Sequence, residues 1–151
     1  MRKRITLALI VLLVFCLCGC TRKTYDIPLK QDMNEITRIS LVDNTGCNKG
    51  MEPTTLLVIE EHDEIVGFIT DLTNIKCQAY FNDPPTSLGY LYVEILYKNG
   101  DTETIGTDMF LYESVDGTIS DDYKKWFYVD MDSMCDLFVK YVGVEPDVPY
   151  R

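Results

Sequence analysis

Leu91, Val93, Ile95 and Tyr97 alternate with Tyr92, Glu94 and Lys98, and Asn99-Gly100 follows directly. A period of two marks a strand with one face buried, and Asn-Gly is tight-turn chemistry that sends the chain back antiparallel. The register across that turn decides what the returning strand buries. A two-residue loop would place Ile105 opposite Glu94, on the polar face. A three-residue loop with Gly100 left-handed and bulged places Ile105 opposite Val93, on the apolar face. The bulged loop is therefore expected, and with it an antiparallel sheet.

The remaining segments read as further strands and two helices. Residues 36–42 carry Ile36, Ile39 and Leu41 among polar neighbours, and 54–60 are apolar and β-branched; both read as strands, with Gly-rich turn chemistry at 44–50. Ile75, Cys77, Ala79 and Phe81 share one face of a third strand, closed by Asn82-Asp83 and the stiff Pro84-Pro85. Residues 109–112 and 124–129, the latter bearing Trp126 and Phe127, give two more, with a turn at Asp116-Gly117. Ile65, Phe68, Ile69 and Leu72 fall at helical spacing behind Asp63 and Glu64, whose carboxylates suit a helix start. Met134, Leu137, Phe138 and Tyr141 do the same at 132–142, with an acid at the start and Gly143 after the end. The order predicts an α+β domain, a mainly antiparallel β-sheet with two helices packed on one face. Its expected bounds are 35–143, followed by a loosely ordered tail over 144–151.

The chain begins Met1-Arg2-Lys3-Arg4, and an apolar run then extends from residue 5 to residue 18, broken only by Thr6. That is about 14 residues, where a bilayer-spanning helix needs roughly 20. Basic start, short apolar middle and small end make a secretory signal over 1–19. The end, Leu17-Cys18-Gly19-Cys20, resembles the lipobox of bacterial lipoproteins, with Cys18 where that family more often has Ala or Ser. The resemblance implies cleavage after Gly19 and thioether lipidation of Cys20. Cys16 and Cys18 follow Phe15 and Leu17, which are too bulky for the position before the cut. Membrane lipid, held through Cys20, is then the first partner, and two or more acyl chains anchor durably. Residues 20–34, polar with one proline, are expected to be the lipidated end and its tether. Lipobox, short tether and one α+β domain together are similar to small lipoproteins of Gram-positive Firmicutes, a likeness that carries over no functional residue except Cys20.

Loss of the signal removes three cations and no acid, so the formal charge falls from −10 to −13 over 132 residues. Nucleic-acid binders present basic faces, so that class is excluded. Three cysteines stay in the domain, Cys47, Cys77 and Cys135, and three free thiols are expected rather than a Cys47–Cys77 bridge; Cys77 reads as a small buried hydrophobe.

Catalytic chemistry finds little footing. His62 is the one imidazole and stands between acids where a strand meets a helix. Carboxylates cluster at Glu60, Glu61, Asp63 and Glu64 and again at Asp121, Asp122, Asp130 and Asp132, patterns that solvated faces explain. Asp130-Met131-Asp132 begins a calcium-loop spacing and then stops. Tyrosines at 80, 90, 92, 112, 123 and 128 lie on or near strands, where β-propensity accounts for them. No catalytic residue, cofactor or metal is expected, and the chain does not read as an enzyme. The expectation is a membrane-anchored, extracytoplasmic lipoprotein with a non-enzymatic binding or interaction domain. A protein or cell-wall polymer is favoured as its second partner. The rival reading is a surface inhibitor, of immunity type, that blocks a secreted hydrolase or toxin.

Overall fold

The computed structural model describes residues 24–80, 89–112 and 124–148, with backbone alone at 48, 79–80, 108–112 and 124–128. Eight strands and two helices lie within these residues: β1 (Thr24–Asp26), β2 (Ile36–Asp43), β3 (Thr54–Ile59), α1 (His62–Asn74), β4 (Lys76–Tyr80), β5 (Leu91–Tyr97), β6 (Thr102–Gly106), β7 (Asp108–Tyr112), β8 (Lys124–Val129) and α2 (Met131–Val142). The fold is α+β and mainly antiparallel sheet. The Asn99-Gly100 turn closes as the bulged hairpin: Gly100 is left-handed at φ +88° and Ile105 faces Val93. Gly100 N–H donates to Tyr97 O at 2.9 Å and Tyr97 N–H to Asp101 O at 2.9 Å.

The strands divide into two sheets, a partition the sequence left open. One has the order β1-β4-β8-β7 and the other β3-β2-β5-β6. The chain passes between them at Thr107, the single residue separating β6 from β7, whose carbonyl accepts the Val129 N–H at 3.0 Å. Alternation within a strand reports which residues face inward, not which neighbour the strand pairs with, so the partition lay beyond periodicity.

One core draws on both sheets and both helices. Ile39, Leu41, Val93, Ile95 and Ile105 come from the second sheet, Cys77 and Val129 from the first. The periodic residues of α1, Ile65, Phe68, Ile69 and Leu72, are all buried, as are Met134, Leu137 and Phe138 of α2. Each such burial contributes about 1.5–3 kcal/mol. α1 touches β2 and α2 touches β3, so both helices lie against the same sheet. The Asp130 carboxylate caps α2 by accepting from Ser133 N–H at 3.0 Å, and left-handed Gly143 ends it.

Two segments expected to be loose belong to the fold. Within the supposed tether, β1 pairs with β4 (Tyr25 opposite Cys77), Asp26 pairs with Lys76, and Ile27 is buried in the core at 2% exposure. Leu29 and Met33 pack on that core, and Gln31 donates to Asp101 at 2.8 Å. In the supposed tail, Pro146 and Val148 are buried. Both segments place isolated apolar residues into gaps, and isolated residues generate no period to detect. The turn at Asp116-Gly117, Pro84-Pro85 and residues 1–23 lie outside the described residues.

Ile27→Ala is expected to cost about 2–4 kcal/mol, the range for truncating a fully packed aliphatic side chain. Urea denaturation checks it. A midpoint unchanged from the parent would mean that this segment is a tether after all.

Candidate functional site

The turn between β2 and β3 is tied down by its own side chains. Asp43 ends β2, and its Oδ1 accepts the Thr45 N–H at 2.7 Å, a local bond that starts the turn. Asn44 fastens the turn to the start of β5, donating from N–H to Tyr90 O at 2.7 Å and from Nδ2 to Gly89 O at 3.0 Å. A single 3-10 turn follows at Cys47–Lys49 and stops at Gly50, left-handed at φ +72°. Met51 N–H returns to Gly46 O at 3.2 Å, so closely that a Cβ on Gly46 would lie 2.8 Å from the Met51 Cβ.

Between this turn and the end of the described chain lies an open recess of about 470 Å³, lined among others by Asp43, Lys49, Met51, Glu52, Thr54 and Asp147. Three carboxylates stand against one ammonium, a lining that favours a cationic group. Among the described residues that line it there is no histidine or cysteine. Among the described residues no cluster of His, Cys, Asp or Glu has the geometry of a metal site.

Two other polar clusters hold the fold together. Tyr97, 1% exposed, donates its hydroxyl to Glu103, whose Oε2 also accepts the Lys30 N–H at 3.0 Å. Burial raises the Glu103 carboxyl above its ordinary range, against the pull of those two donors. Burial and the adjoining carboxylate likewise raise the Tyr97 hydroxyl. The second cluster joins the helices: Asp71 of α1 accepts from Lys140 Nζ at 2.6 Å and from the Tyr141 hydroxyl, both on α2. The Lys140 and Tyr141 hydrogen bonds hold Asp71 below the usual carboxylate range. Burial, then Asp71, pushes Tyr141 up to about 12. The Tyr141 ring meets Phe68 edge-on at 4.8 Å.

The structure disperses the residues that drew attention in the sequence. His62 opens α1, exposed, with Glu60, Glu61, Asp63 and Glu64 exposed around it. Asp130 is the cap of α2. Tyr92 is buried, and Tyr90 packs against the core. Cys77 is buried, its thiol donates to Tyr25 O at 3.5 Å, and burial pushes it up to about 11, which makes it a poor nucleophile. Cys47, Cys77 and Cys135 form no disulfide among the described residues. Cys20, Asp121 and Asp122 lie outside the described residues. The recess itself went unread: Asp43 and Asp147 stand about a hundred residues apart, and no local pattern joins them.

The chain matches no protein-family model, no curated protein and no solved structure. Among the described residues, no helix is long and apolar enough to cross a membrane.

Two measurements follow. Gly46→Ala should cost about 1–3 kcal/mol in urea denaturation, the range for overpacking, because the new methyl meets a Cβ that cannot swing away. An unchanged midpoint would show the turn to be pliable. For Glu103, the folded carboxyl binds its proton more tightly than the unfolded one. Its stabilising contribution is thus full below the ordinary value of 4.5 and fades as pH rises through the raised value. Glu103→Gln keeps an acceptor for Tyr97 and removes the charge, so the variant should lose that decline. Parallel stability curves for parent and variant between pH 4 and 7 would refute the assignment.

Proposed function

We propose that this chain is a bacterial lipoprotein, lipidated at Cys20, whose α+β domain serves as a non-enzymatic binding module on the outer face of the cell membrane. The observation that carries the address is Leu17-Cys18-Gly19-Cys20, closing an apolar run too short to span a bilayer. The recess of Asp43, Glu52 and Asp147 supports the binding role, since it offers shape and charge for a cationic group without the nucleophile–base pairing that hydrolytic chemistry needs. An inhibitor of a secreted hydrolase or toxin would use the same surface. A neighbouring gene for such an enzyme would favour that version.

The position of β1 gives the proposal a dimension. Three residues separate Cys20 from Thr24, and four Cα steps reach at most about 14 Å. The folded body is therefore held against the headgroups instead of ranging on a long leash.

The intact N-terminal peptide of the membrane-associated protein should carry diacylglyceryl on Cys20 by mass spectrometry, and Cys20→Ser should move the protein out of the membrane fraction. Neutron reflectometry of the protein on a supported bilayer should find protein density beginning within about 14 Å of the headgroups. An unmodified Cys20 would sink the lipoprotein reading.

A further inference from the structure

Among the described residues β3 pairs with β2 alone, so its other side is a sheet edge. An antiparallel edge strand directs the N–H and C=O of alternate residues outward, a template for another chain. Natural edges are blunted by charge, proline, brevity or bulges. β1 is three residues long with an ion pair at Asp26, and β6 carries Glu103 among threonines. β3 reads Thr54-Thr55-Leu56-Leu57-Val58-Ile59, without a charge or a proline, and Leu56 and Val58 are 37% and 48% exposed. Its one blunting device within the strand is a bulge at Leu56, where the register against β2 steps from Leu41–Leu57 to Val42–Thr55.

Charge is stacked at the two ends instead. Glu52 precedes the strand, and exposed Glu60, Glu61, Asp63 and Glu64 follow it. The acidic recess opens at the same end as Glu52, and Thr54, the first residue of β3, is part of its lining. We infer that the open edge of β3 receives an extended strand of a partner protein whose ends are basic, with apolar side chains beside Leu56 and Val58 and one basic side chain in the recess of Asp43, Glu52 and Asp147. Charge complementarity selects that occupant. A second copy paired antiparallel would bring Glu52 of one chain towards Glu60 and Glu61 of the other, and like charges across a strand pair repel. The same acids oppose an anionic lipid surface. Main-chain hydrogen bonds supply the attachment and the flanking charges supply the choice. The inference deepens the binding-module reading and rests on it.

The test uses the native protein as its host processes it. Two synthetic peptides serve as probes, each of alternating valine and threonine, one with lysine at both ends and one with glutamate. Amide hydrogen exchange should show Thr54–Ile59 protected on adding the lysine peptide, with the glutamate peptide at least about tenfold weaker. Val58→Lys sits at an exposed position, leaves the fold intact, and should weaken the lysine peptide about tenfold by placing a cation on the edge. Asp43→Asn with Asp147→Asn should narrow the difference between the two peptides, while Asn at 43 still accepts the Thr45 N–H. Equal binding of both peptides, or no protection of β3, would overturn the inference. Protection of β3 by self-association in sedimentation, or by phosphatidylcholine vesicles without peptide, would overturn it in favour of a second copy or a membrane. The mass of the N-terminus, read from the same sample, judges the lipid anchor independently.

Discussion

Thr102 to Tyr112 is nearly continuous strand, and it serves both sheets. β6 closes the β3-β2-β5 sheet on one side, β7 closes β1-β4-β8 on the other, and the chain changes allegiance at Thr107. A strand that switches sheets forces the two to share one interior. The Val129 N–H, bonded to the Thr107 carbonyl, pins the switch to β8. The buried apolar side chains then share one destination: Val93, Ile95 and Ile105 from one side, Cys77 and Val129 from the other, with both helices in the same cluster. The Thr107 hydroxyl is buried without a partner among the described residues, a cost set against the switch it occupies.

Polar side chains do their work at the margins of this core. Glu103 holds the segment around Lys30 to the β5–β6 hairpin, and Asp71 couples α1 to α2 through Lys140 and Tyr141. The helix–helix ion pair faces solvent, so its worth is modest, on the order of 0.5 kcal/mol, and the edge contact of Tyr141 with Phe68 adds a similar amount. The Glu103 arrangement matters more for topology. It fastens the chain just after β1 to the β5–β6 hairpin.

The acidic character of the chain divides into separate uses. Asp130 caps a helix, Asp43 shapes a turn, Asp71 bridges two helices, and the run around His62 is solvated at the start of α1. Asp43, Glu52 and Asp147, by contrast, share a concave surface. A count of carboxylates cannot separate these uses, because each depends on what the backbone brings near.

What the sequence determined by itself was local. The β5–β6 register, including left-handed Gly100 and the Val93–Ile105 pair, followed from alternation and turn chemistry within sixteen residues, 91–106. Both helices and their buried faces followed from spacing, and the stop at Gly143 from its end signal, while the cap at Asp130 emerged only in the structure. Tertiary structure alone decided the split into two sheets, the recruitment of Ile27 and Val148 into the core, and the meeting of Asp43 with Asp147. The reason is physical: periodicity records how a residue faces relative to its own neighbours. Which distant segment completes its surroundings is settled by the whole core closing at once.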